Sequence, residues 1–63
     1  MTTLDQLEQI VDRVGLKMTI EALAIICDLK SDHIISAWQD PHTAAAWQHN
    51  TKVLDATAQR IRT

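Results

Sequence analysis

Phenylalanine and tyrosine are absent from this chain, and glycine, proline and cysteine occur once each in its 63 residues. Each scarcity removes a class of structure. A lone cysteine, Cys27, cannot close an internal disulfide, and no Cys/His cluster has zinc-finger spacing. A single glycine excludes a glycine-rich phosphate loop. So few glycines and prolines leave little material for turns, which argues against a β fold. Long apolar runs are missing as well: the stretch around Leu23 to Cys27 is far short of the roughly 20 residues that span a bilayer. The N-terminus has no basic region followed by an apolar one, so no signal peptide is read and a cytoplasmic location is expected. Positive charge is not in excess either. The formal net charge is −2, which disfavours nucleic acid as a partner.

What remains is rich in helix formers. Hydrophobic residues make up 46% of the chain, and its Ala, Leu, Ile, Gln and acidic residues are helix-compatible. The expectation is an all-α protein with one domain over residues 1–63 and helices over about 3–14, 19–39 and 41–61. In the first helix Leu4, Leu7, Val11 and Val14 recur at 3, 4, 3 spacing, the stripe of an amphipathic helix. Thr3 with Gln6 resembles a capping box, and Gly15 supplies the stop.

Thr19 is the expected cap of the second helix. Here Ile20, Leu23, Ala24, Cys27, Ser31, Ile34 and Trp38 share one face at 100° per residue, while Ala22, Ile26 and Leu29 form a second. A helix apolar on two sides is buried on two sides. One side can take the first helix, and the other the third helix or a second subunit.

Asp40-Pro41 is a favoured helix start, with Asp40 as cap and proline at the first helical position. The third helix then carries Ala44, Trp47, Thr51, Leu54, Ala58 and Ile61 at 3, 4, 3, 4, 3 spacing, close to a coiled-coil seam. Folding back at residue 40 would pair residues whose numbers total about 81, setting Asp32 near His49, Asp28 near Lys52 and Val53, and Glu21 near Arg60. A helix kinked through Pro41 is the alternative. Seven of the eight acids precede Pro41, and half of the six Lys and Arg residues follow it, which fits opposed helices in register.

A chain this short buries only about 60% of the surface its unfolded form exposes, and it has neither disulfide nor metal to compensate. A homodimer or higher homo-oligomer is therefore expected, with a seam drawn from Leu23, Cys27, Ile34, Thr51, Leu54, Ala58 and Ile61. Ile25, Ile35 and Val53 lie off the main stripes.

Candidate chemistry is thin. Residues 4–24 can be set against a helix-turn-helix with Gly15 at the turn, but a position that should be buried falls on Glu21 instead of Ile20. An acidic stripe on the second helix would also repel phosphates. Asp28, Asp32, His33, His42 and His49 lack the Glu-x-x-His or His-x-x-x-His spacing that converges ligands on helices, so no metal site or cofactor is read. Cys27 sits in an apolar stripe, where a thiol is inert, and no catalytic residue is assigned. The interaction candidates are the acidic stripe of Glu21, Asp28 and Asp32, the tryptophans Trp38 and Trp47 flanking Asp40-Pro41, and His49. A pairing of His49 with Asp32 would make assembly pH-dependent. Both tryptophans are expected to fill the bundle end near the turn.

The functional expectation is a non-catalytic homo-oligomeric helical module that binds an unidentified protein, not a membrane. A small DNA-associated regulator, or a bundle carrying a metal or cofactor, are the alternatives.

Overall fold

A computed structural model describes residues 2–63. Helix α1 runs Thr3–Val14, α2 Leu16–His33 and α3 Pro41–Ala58, with a π-helical turn at Ile34–Trp38 extending α2. No strand occurs among the described residues, and the chain is all-α.

Caps set the helix ends. Thr2 caps α1: its hydroxyl accepts from the Asp5 N–H at 3.1 Å, and the Asp5 carboxylate accepts from the Thr2 N–H at 3.3 Å. The capping box thus lies one residue earlier than Thr3 with Gln6, with Asp5 in the place of the usual Glu or Gln. Helix α2 starts at Leu16, and Thr19 is not its cap. Thr19 is buried inside the helix, and its hydroxyl donates to the Gly15 carbonyl at 2.8 Å. A threonine can turn its hydroxyl onto the preceding turn in this way, which makes it an ambiguous start signal. Asp40 caps α3 as expected, accepting from the N–H of Thr43 at 3.1 Å and from its hydroxyl at 2.8 Å. Helix α3 ends at Ala58, followed by a turn at Gln59 and Arg60, three residues short of Ile61.

Helices α2 and α3 form an antiparallel hairpin, so Pro41 begins a new helix and does not kink an old one. Its register differs from the expected one. Ser31 donates to the Ala44 carbonyl at 3.0 Å, Gln48 to the Asp28 carboxylate at 2.7 Å, and the Thr51 hydroxyl lies 3.3 Å from the Ala24 carbonyl while also within reach, at 3.1 Å, of the Trp47 carbonyl of its own helix. The interhelical pairs total 75 or 76 in residue number, not 81. Reversal is not confined to residue 40. The π-helical turn and the left-handed Gln39 (φ 49°) take part in it, so pairing begins farther down α2. Asp28 accordingly meets Gln48 instead of Lys52 and Val53, Glu21 lies level with Asp55 instead of Arg60, and Asp32 is about one and a half helical turns away from the level of His49.

The buried seam is made of small residues: Ala24, Cys27, Ser31, Ala44 and Ala58, with Thr19 at one end. No Leu, Ile, Val, Met or Trp is buried among the described residues. Ser31 has no exposed surface, and its hydroxyl is satisfied by Ala44. Small side chains let two helix backbones come close enough for hydroxyls on one helix to reach carbonyls on the other.

Helix α1 stands apart. No Cα of α1 lies within 8 Å of a Cα of α3, and α1 has no buried residue. The molecule measures 37 × 29 × 12 Å, a flattened shape. Its radius of gyration is 13.4 Å, against about 10.6 Å for a compact chain of this length.

Two positions hold this geometry. Gly15 joins α1 directly to α2 with φ 90° and ψ 160°, a region open essentially to glycine alone. A Cβ on Gly15 would also run into the Thr63 carbonyl oxygen. Gly15→Ala is therefore expected to lower stability by roughly 1–3 kcal/mol, read as a fall in thermal midpoint by circular dichroism. Asp40 is the second. The Thr43 N–H and hydroxyl, with a smaller contribution from His42, hold its carboxyl below its ordinary value of 3.8. A depressed folded-state value means stability that is present above the unfolded value and lost as pH falls through the folded one. The difference in thermal midpoint between wild type and Asp40→Ala should be widest at pH 5–7 and narrow steadily below about pH 4.

Candidate functional site

The residues expected to form an oligomer seam are largely used within the chain. Cys27 and Ala58 are buried, and Ile34, Thr51, Leu54 and Ile61 are half-buried, with Thr51 hydrogen-bonded across the hairpin. Only Leu23, at the edge of the stripe, is exposed. Periodicity identified a contact stripe correctly, but its partner is the other arm of the same hairpin.

The acidic stripe is only partly free. The Asp28 carboxylate is engaged by Gln48, while Asp32 is exposed. Glu21 lines an open groove of about 360 Å³ with Lys17, Asp55, Ala58 and Gln59. His49 is exposed on α3, and its proposed pairing with Asp32 fails with the register, which aligns Asp28 with the adjacent Gln48. The two tryptophans divide. Trp47 is half-buried, but Trp38, at the end of the π-helical turn, is 72% exposed and does not fill the hairpin end. No three His, Cys, Asp or Glu side chains among the described residues are grouped so as to hold a metal ion. Cys27 is buried, and the buried Ser31 hydroxyl is committed to Ala44.

Apolar side chains without a partner are the outstanding feature. On α1, Leu4 is exposed by 71%, Leu7, Ile10 and Val14 by 37–42%, and Val11 is half-buried. On α2, Met18, Ile25, Ile26 and Leu29 are exposed, Ile25 and Leu29 by about 60% each. At 100° per residue Met18, Ala22, Ile25 and Leu29 form one stripe, about 150° around the helix from the seam that meets α3. Ile35 and Trp38 add an exposed apolar tip where the hairpin turns.

The α2 stripe includes Ala22 and Leu29 of the expected second face, but the α1 stripe was expected to be covered by α2. The reason it is not lies at residue 15. Helices packed side by side in antiparallel fashion are usually joined by two or more residues. Gly15 alone cannot reverse the chain, so α1 cannot lie on α2 of its own molecule. The signal was present in the sequence: Leu16, Lys17 and Met18 are good helix formers and provide no loop. A single-residue junction also differs from the three- or four-residue turn of a helix-turn-helix.

Comparison of the chain with protein-family models, with curated proteins and with solved structures finds no match. No helix among the described residues is long and apolar enough to cross a membrane.

Single-tryptophan variants report the two environments separately. In Trp47→Phe, where Trp38 is the only emitter, acrylamide should quench the unassembled chain strongly with red-shifted emission. In Trp38→Phe quenching should be weaker and emission bluer. Equal quenching would contradict the difference in exposure.

Proposed function

We infer that this protein is a non-catalytic helical interaction module that works as a homo-oligomer, a homodimer in the simplest case. The observation that carries this reading is the partly exposed apolar stripe of α1, which no third helix covers, on a flattened molecule. Stable domains pack at least two layers of secondary structure around a shared core. The accessible surface is 5046 Å². A globular chain of 7.1 kDa would expose about 4,100 Å². The excess of about 950 Å² is of the order of the roughly 800 Å² that each partner loses in a standard interface.

Energetics support the same reading. An isolated helix of 12 residues is marginal in water, and α1 has no contact with α3 to hold it. Covering each exposed Leu or Ile would contribute about 1.5–3 kcal/mol. Loss of the expected seam to the hairpin does not weaken the case, because larger apolar stripes replace it. A reducing, cytoplasmic setting accompanies the proposal, since the lone Cys27 is buried and unpaired. A protein partner of another kind would dock on the assembled module, with the exposed Asp32 and Trp38 as its available contacts.

Native mass spectrometry of the untagged chain at low micromolar concentration tests this reading. A whole-number multiple of 7.1 kDa is expected, with twice that mass predominant. A folded monomer across the micromolar range would overturn it.

A further inference from the structure

Two unpartnered apolar stripes on one chain raise the question of whether they fit each other. On α1 the stripe from Leu4 to Val14 is about 15 Å long, and on α2 the stripe from Met18 to Leu29 is about 16 Å, at 1.5 Å per residue. Their edges are also matched in charge. Helical periodicity puts Glu8 on one edge of the α1 stripe and Arg13 on the other. On the α2 stripe it puts Lys30 and His33 on one edge, and Glu21, Asp28 and Asp32 together with Lys17 on the other, which is net acidic. Laid antiparallel with Leu7 level with Ile25, the two helices bring the Glu8 edge along the basic edge of α2 and the Arg13 edge along the net acidic one beside Glu21, with Asp32 and His33 beyond the end of the arm. Laid parallel, they would set like charges together. The one-residue junction at Gly15 prevents this pairing within a molecule, so it must be made between molecules.

We propose that α1 is an exchanged arm: in a two-fold dimer, α1 of each chain seats antiparallel on the Met18–Ala22–Ile25–Leu29 stripe of a second copy. The proposal rests on the homo-oligomer reading above and assigns its interface. Contacts of this kind are self-complementary, since each chain gives one arm and receives one, and the assembly closes at two. Each protomer then gains a further layer, in the order α3, α2, partner arm. The Ser31–Ala44 seam stays inside each chain.

Site-directed cross-linking tests the arrangement. Cys27→Ala removes the native thiol, and Leu7→Cys and Ile25→Cys are then made in separate chains. Mixed in equal amounts, left to exchange and oxidised with diamide, they can form a 7-to-25 disulfide only between molecules. The expected result is that the mixed product dominates over either self-linked product. In the otherwise unaltered chain, Leu7→Glu and Ile25→Glu should each raise the dimer dissociation constant at least tenfold, while Asn50→Glu on α3 should leave it unchanged. A native mass of two chains with only self-linked product, or with no loss of affinity in the glutamate variants, would overturn arm exchange and leave the homo-oligomer standing. A monomeric native mass would overturn both.

Discussion

Close approach of two helix backbones governs this structure. Between α2 and α3 the buried positions are alanine, cysteine and serine, and the Ser31 hydroxyl, with the half-buried Thr51 beside it, reaches a carbonyl on the opposite helix. Nothing larger would allow that bond. A seam of small residues has a second effect, which is to leave the large apolar side chains outside it. Leu29, Ile25 and Met18 point away from α3, so most of the apolar bulk of α2 faces outward. The hairpin is held by shape and hydrogen bonds, with little burial of hydrocarbon behind them.

The two junctions complete the constraint. Asp40 and Pro41 restart the chain cleanly, and the π-helical turn with left-handed Gln39 absorbs the reversal. At the other end Gly15 turns the chain without a loop, and α1 leaves the hairpin at once. A longer linker would have let α1 fold over α2 and produced an ordinary three-helix bundle with one core. With one residue there, α1 stays amphipathic and partly exposed. The proposed function follows from that geometry: the unfinished core is the proposed binding surface.

Much of this was legible from residue order. The all-α class, the three helical segments, the Asp40 cap, the stop at Gly15 and the two-sided apolarity of the second helix all follow from local patterns. Errors arose where one local signal had two meanings. Thr19 reads equally as a helix cap and as a buried residue bonded to its own preceding turn. The stripe of α3 reads equally as an intermolecular seam and as the inner face of a hairpin, and Trp38 reads as a plug until the turn beside it is known.

Residue order determined what each helix can bury, because helical periodicity places side chains on faces without reference to the rest of the chain. Tertiary structure alone decided which face was used and by what. The hairpin register depends on how many residues the reversal consumes, and that count shifted Asp28 to Gln48 and parted Asp32 from His49. Exposure of α1 depends on whether a junction can turn the chain through a half-circle, a property of three-dimensional reach. Faces are local and partners are not, so the sequence could announce an interaction surface on the second helix while its occupant waited on the geometry of Gly15.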